Sequence, residues 1–395
     1  MSVVTAPKTH NRDAALAALH QRTKALNLFE FWSEGDSAAA EHESVRRLSK
    51  RRQAIPHIWR FKEVEPVLFK SAELIDMHMS ERRSLIMCNP ALEGDVATVT
   101  TMFAAYRINN PNEIAPAHRH SPNAIRFGLT GRTNFTCVEG ENITFGPGDL
   151  VLTPHDTWHN HGNEGDGGAI NLSVLDMPLV NTLNATYFEF DYFEEGAGGE
   201  KVQKEIQSGR FPTDYSHMVY GAGGLMPRSE SHDRGTGNAS PMYVYRWEQT
   251  RALLDRMRGR PGTRHDGVLI EYVDPTTGKA PYATMTFFVQ MLRKAEATLP
   301  SRTNASLIYT VLEGSGHSII GGKRFDWNKF DTFCAPGGEW CAHFNETPNG
   351  EAILFVSSDE PALKALRFYM RHGRTANGDT VLLAANERNF ALPTG

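Results

Sequence analysis

The chain is poor in the features that mark secreted, membrane-spanning or nucleic-acid-binding proteins. Only four of its 395 residues are cysteines (Cys88, Cys137, Cys334, Cys341), and no two share a C-x-x-C spacing. That excludes a disulfide framework and leads us to expect a reducing, cytoplasmic compartment. No apolar run approaches the roughly 18 residues a membrane helix needs, so no membrane partner is expected. The first residues, MSVVTAPKTHNRDAALAALHQR, lack the basic, apolar, small-residue order of a secretion signal. Positive charge is also short. Lys and Arg number 41 against 46 Asp and Glu, a formal net charge of -5, which suits no nucleic-acid backbone. What is present is ordinary globular chemistry, 40% hydrophobic and 22% charged, enough for two compact domains with no covalent staples.

Periodicity divides the chain. Ala14 to Trp32 carries Leu16, Leu19, Leu26 and Leu28 at helical spacing, with Asp13 as a candidate N-cap. Ala38 to Arg52 and Val64 to Ile75 read as further helices. From Val96 the period changes: Thr98 to Ile108 and Asn142 to Thr153 are β-rich and broken by Pro, Gly and Asn. Phe188 to Gly199 is acidic and aromatic, and Ser208 to Pro241 reads as a long irregular connection. Tyr245 to Arg258 is an amphipathic helix, and strand patterning returns from Ala283 to Ser357. The two β-rich regions form a weak repeat. Asp149, Pro154 and Trp158 recur with identical spacing as Asp331, Pro336 and Trp340. The expected organisation is an N-terminal helical segment (1–95), a first β-barrel (96–185), an irregular and helical linker (186–280), a second barrel (281–372) and a tail (373–395).

The sharpest chemical feature is His118-Arg119-His120, followed 39 positions after His120 by His159-Asn160-His161. Alternate residues of a strand share a face, so each pair points one way. Between them Gly131 and Gly146-Pro147-Gly148-Asp149 supply turns that fold one pair over the other. Three neutral imidazoles on one side of a divalent ion leave the other side open to substrate and O2. A lone histidine is ordinarily a surface or hydrogen-bonded core residue, and His78, His155, His232 and His265 are read so. Metal-binding barrels of this type usually add a glutamate four or five residues after the H-x-H pair. Here Ala124 and Ile125 stand there, so the ligand set is three histidines without a carboxylate. Ile125, Phe127 and Leu129 alternate with Arg126, which turns Arg126 toward the interior, where an unpaired charge is costly.

The segments ERRSLIMCNP (81–90), EIAPAHRHSPNAIRF (113–127), TWHNHGN (157–163), LDMPLV (175–180) and PMYVYRWEQTRALL (241–254) resemble the gentisate and salicylate 1,2-dioxygenase family, over about residues 60 to 370. The resemblance implies a mainly β bicupin: two double-stranded β-helix (jelly-roll) barrels with N-terminal and linker helices. It implies Fe(II) on His118, His120 and His159. It gives Arg126 the substrate carboxylate, places Arg82 and its neighbour Arg83 near the substrate, sets His161 against substrate or oxygen, and lines the pocket with Asp176. In this reading His161 holds a proton near the reacting oxygen, its pKa lying near working pH. The implied reaction opens gentisate with O2 between the carboxyl- and hydroxyl-bearing carbons to give maleylpyruvate, in a homotetramer. Salicylate, 5-substituted salicylates and 1-hydroxy-2-naphthoate are the alternative substrates. The chain departs from the family pattern at Phe103-Ala-Ala-Tyr-Arg107, where relatives carry Gly and Gln at the positions of Ala105 and Arg107. Those changes touch the ring substituent, not the ring opening.

Counting back from Gly314 as from Gly131 puts Ser301 and Thr303 at the second barrel's H-x-H positions. Aligning Trp340 with Trp158 puts Cys341 at the third-ligand position and His343 at that of His161. Hydroxyls are poor ligands for a borderline ion, so no iron is expected there. Two other readings, a metal-dependent cupin isomerase and a non-enzymatic storage bicupin, fit the histidine pairs and paired arginines less well.

Overall fold

The fold follows from strands whose alternate residues face a barrel interior and a packed exterior. It is seen in a computed structural model that describes residues 9–31, 42–43, 45–46, 52–76, 79–80, 83–190, 193–195, 201–203, 211–223, 225, 227, 237 and 239–386. The chain divides into two compact units, Met1–Arg52 and Gln53–Gly395. In the first, a helix runs Thr9–Ala25, so Asp13 lies inside it rather than capping it. It stops well short of Trp32. Asn27 turns left-handed at φ 54°, and the Leu28 amide donates back to the Thr23 carbonyl at 2.9 Å, a common way to end a helix. Most of the expected helix at 38–52 lies outside the described residues.

The second unit is a bicupin. In the first barrel, a sheet runs in the order Val244–Tyr245, Leu150–Thr153, Ala124–Gly128, Ala169–Leu175, Phe103–Asn109, Arg83–Ile86. It faces a sheet of Glu141–Phe145, Asn134–Val138 and His159–Asn163. The second barrel repeats the first order with His57–Trp59, Thr332–Ala335, Leu307–Glu313, Ala352–Ser358, Thr286–Leu292 and Val268–Tyr272. All these pairings are antiparallel, as jelly rolls require. The two sheets pack outer face on outer face. Phe127 stacks on Phe355 with ring centroids 4.0 Å apart, and the Tyr106 hydroxyl donates to the Phe330 carbonyl at 2.6 Å.

The helices are not appendages. The expected third helix is Phe61–Leu74, and its preceding strand His57–Trp59 pairs with the second barrel. Its counterpart Trp247–Met257 follows Val244–Tyr245, which pairs with the first. The repeated aspartates make each clasp. Asp149 accepts the Trp247 amide (2.8 Å) and the Arg246 guanidinium (3.0 Å). Asp331 accepts the Phe61 amide (2.8 Å) and the Arg60 guanidinium (3.3 Å). Each arm therefore holds the barrel that lies on the far side of the chain from it. Among its described residues, the stretch read as an irregular connection contains a short helix, Tyr215–Tyr220, tied to the first barrel by Ser216 donating to the buried Glu141 carboxylate (2.8 Å).

A second reciprocal pair sits where the barrels meet. Asp176 ends the first barrel and takes a hydrogen bond from Thr284 of the second. Asp359 ends the second and takes one from Thr101 of the first (2.5 Å), together with the Ser306 amide (2.7 Å). Burial pushes the Asp359 carboxyl up to about 6. The folded state thus holds this proton more tightly than the unfolded chain, where Asp titrates near 3.9. Its favourable contribution is complete below pH 4 and is lost as pH rises through 6, by about 3 kcal/mol at most. Asp359→Asn is expected to gain stability relative to wild type between pH 4 and 7, read from urea midpoints. Parallel pH profiles would show that Asp359 titrates as an ordinary surface carboxyl.

Candidate metal centre and active site

The two histidine pairs meet because their strands do. His118 and His159 exchange both backbone hydrogen bonds, at 3.0 and 2.9 Å, which sets their rings on one face, 4.2 Å between centroids. His120 lies 4.8 Å from His159 and 5.6 Å from His118 by the same measure. One nitrogen from each of the three lies within 4.8 Å of the others. All three rings are buried, at 1%, 2% and 0% exposure. Arg119, between the paired ligands, points the other way, to Glu189 (2.7 Å) and Asp156 (3.3 Å).

The donor set fits a divalent metal. Each ring faces a backbone carbonyl through Nδ1: His118 to Pro116 (3.3 Å), His120 to Pro122 (2.8 Å), His159 to Thr157 (2.8 Å). An Nδ1–H spent on a carbonyl fixes the tautomer that presents Nε2 as a lone pair, the usual support of a metal-ligating imidazole. His159 Nε2 is buried with no protein partner, a costly state that an ion relieves. Burial, then the neighbouring His118 and His120, holds His159 well below its ordinary pKa, so it is a neutral ligand. The only other grouping of this kind among the described residues is His317, Asp326 and Glu346. There Arg324 reaches both carboxylates (2.7 and 3.3 Å), which are exposed, and competes with an ion for them.

The sheet opposite supplies the pocket floor in three registered rows. Phe103, Leu175 and Ala124 are paired across it, then Ala105, Ser173 and Arg126, then Arg107, Asn171 and Gly128. Paired residues share a face, so an apolar end grades into a cationic, amide-lined end. Phe103, Ala105, Ala124 and Leu175 form one buried apolar cluster. Arg126 and Arg107 are 6% and 2% exposed. Arg107 donates to Asn109 Oδ1 at 3.0 Å, and Asn109 in turn to Asn134 at 2.8 Å.

Arg126 also fixes His161. Its Nη2 lies 3.1 Å from His161 Nε2, while His161 Nδ1 meets Thr136 Oγ1 at 2.9 Å. A guanidinium only donates, so Nε2 carries the lone pair and Nδ1 the proton. Burial, then Arg126 and Arg107, hold this imidazole well below its ordinary pKa. The expectation that it titrates near working pH is therefore corrected: it is neutral and acts as an acceptor at Nε2.

Three other expected residues divide. Arg83 pairs in register with Ile108, not with Arg107. It is therefore turned to the outer face, where it forms an ion pair with Glu113 and donates to the Ile75 carbonyl (2.7 Å). It does not reach the site. Arg82 lies outside the described residues. Asp176 accepts from the backbone and side chain of Asn123 (2.8 and 3.0 Å) and from Thr284. It anchors the Pro122-Asn123 turn whose carbonyl holds His120, so it acts through His120. Sequence reading missed the outer wall. Strand Phe188–Glu189 pairs with Arg119–His120, setting Phe188 5.3 Å from His120, and Phe190 stacks 6.1 Å from His118. The alternation in Phe188-Glu189-Phe190 was the available signal.

Residues 108–175 match the Cupin domain family. The chain is 31% identical to 5-aminosalicylate 1,2-dioxygenase of Comamonas sp., over 96% of both chains. It is 33% identical to gentisate 1,2 dioxygenase 1 of Aquipseudomonas alcaligenes, over 80% of this chain and 86% of that one. Among solved structures, salicylate 1,2-dioxygenase of Pseudoaminobacter salicylatoxidans with gentisate superposes with TM-score 0.77 at 28% identity, covering 96% of each chain. A three-histidine cluster facing a graded apolar-to-cationic floor, in a bicupin alike to these proteins over most of its length, makes this chain a member of the gentisate 1,2-dioxygenase family of ring-cleaving dioxygenases.

Proposed function

We propose that the protein opens gentisate with O2 at one Fe(II) held by His118, His120 and His159, giving maleylpyruvate. The observation that carries this reading is the neutral three-histidine cluster, with no carboxylate, beside the Arg126–His161 pair. Such a cluster keeps the full positive charge of a divalent ion for an anionic chelating substrate. Bound there, iron(II) supplies the activation of O2 and ring that an organic side chain cannot.

The chain's own residues bind, orient and move a proton. Arg126 grips the carboxylate, since a guanidinium is always charged and its fork matches two oxygens. The ring lies along Phe103, Ala105 and Leu175, with Phe188 and Phe190 limiting water at the opposite wall. His161 accepts the proton of the substrate hydroxyl at Nε2, the atom that faces Arg126. Arg107 adds a second cation to the floor and Ala105 a methyl group. Both narrow the choice of ring substituent, and salicylates without the 5-hydroxyl are the second reading. Homotetrameric assembly and a cytoplasmic place of work accompany this proposal, the first tested by mass in solution.

The deciding experiment loads iron anaerobically, adds gentisate, salicylate, 5-aminosalicylate and 1-hydroxy-2-naphthoate in turn, admits O2 and identifies products. No oxygen uptake with any of the four would end the proposal. His161→Ala is expected to bind iron normally and to lose turnover by roughly 10²–10⁴, the usual size of a positioned proton acceptor. Wild-type turnover in that variant would remove His161 from the chemistry.

A further inference from the structure

The second barrel encloses a cavity of about 170 Å³, at the position of the first barrel's metal and substrate pocket. Its wall is a neutralised version of the first. Tyr309 is the third residue of its strand, as Arg126 is, and Gln290 the fifth, as Arg107 is. Ser301, Thr303 and Cys341 stand at the three ligand positions and line the cavity. His343 keeps the arrangement of His161, its Nδ1 2.8 Å from the Ser318 hydroxyl, and its Nε2 is 3.5 Å from Cys341 Sγ. Burial holds His343 down at about 4 and the Cys341 thiol up at about 12, so both are uncharged at neutral pH.

The one guanidinium in the wall is already matched. Arg371 reaches Asp266 through both nitrogens, at 2.5 and 3.1 Å, and donates to Ser301 at 3.1 Å. Nearer the edge, Glu360 is paired with Lys364. A carboxylate entering here would lie beside Asp266 with no cation to spare, and burying an uncompensated charge is prohibitive. Glu339 adds a further anion to the wall and His265 an imidazole, while Phe288, Tyr309, Tyr369, Leu307 and Val356 give it an aromatic and apolar side. Tyr309 is braced by stacking on Phe333, 4.9 Å between centroids. The volume suits one benzenoid ring, for which a cavity of about 150 Å³ suffices.

We infer that the second barrel is a binding site for an uncharged, single-ring phenol, selected against the aromatic acids that the first barrel takes. The ring lies among Phe288, Tyr309 and Val356, and the hydroxyl meets the Gln290, Ser301 and Thr303 end. Among the described residues no three His, Cys, Asp or Glu groups converge there as His118, His120 and His159 do, so the site binds without turnover.

The test titrates phenol calorimetrically into iron-loaded enzyme whose first barrel is saturated with salicylate under anaerobic conditions. One phenol per chain is expected, with benzoate at least tenfold weaker. Thr303→Phe, which fills the cavity, is expected to weaken phenol at least tenfold and to leave ring cleavage unchanged. Crystals soaked in 4-bromophenol should show an anomalous bromine peak inside the second barrel, a readout independent of the variant's folding. No phenol heat once salicylate is bound, benzoate as tight as phenol, or bromine only in the first barrel would each overturn the inference.

Discussion

His159→Ala is expected to leave a folded chain that retains almost no iron and has lost ring cleavage by roughly 10³ or more. The magnitude follows from the several kcal/mol a metal ion contributes to stabilising developing charge, at about 1.4 kcal/mol per factor of ten. His159 is the central ligand: its ring is nearest to both others, and its Nε2 is the buried atom with no protein partner. Removing it leaves two imidazoles, and among the described residues no carboxylate joins their group. Metal content after equilibrium dialysis, set beside oxygen uptake, decides the matter. Full iron with full turnover would mean that the ion sits elsewhere.

Arg126→Gln is expected to lower kcat/KM for the aromatic acid by roughly 30- to 10³-fold, the range for truncating one partner of a buried charged hydrogen bond. The loss should appear in both parameters. KM rises because the carboxylate loses its cation. kcat falls because His161 loses the N–H that aims its Nε2, 3.1 Å away. Arg126 is also the second cause, after burial, of the depressed His161 pKa, so the variant's activity should acquire an acid limb at higher pH than wild type. Anaerobic binding of salicylamide supplies the charge control. Its affinity should change far less than that of salicylate, and an equal loss for both would show that Arg126 shapes the pocket without reading charge.

The meeting of His118, His120 and His159 was legible because the pattern is written at short range. Two H-x-H pairs on strands need only a period of two and a turn between them. The role of Asp149 was half-legible: its recurrence as Asp331 marked a repeat, but the arm each one clasps could not be read from spacing. The Asp331 partners Arg60 and Phe61 lie on the far side of the whole first barrel. Arg83 shows the limit most sharply. Along a strand one position decides between pocket and exterior, and the pairing of Arg83 with Ile108 rather than Arg107 turns it to Glu113. The ionisation of His161 was hidden for the same reason, since Arg126 and Arg107 become its neighbours only once the two sheets of the barrel face each other. The end of the first helix was missed because Asn27 breaks a leucine pattern that continues past it.

The crossed clasps have a consequence for how the molecule can change over time. Asp331 captures an arm that precedes the catalytic half, Asp149 captures one that follows it, and Thr284 and Thr101 each reach the opposite aspartate. Neither half owns all of its own frame, so melting one deprives the other of a capped helix, an edge strand and a buried hydrogen bond. Mutation is free to change the pocket of the second half, but not to discard its scaffold, because the half that carries the three histidines is built partly from it.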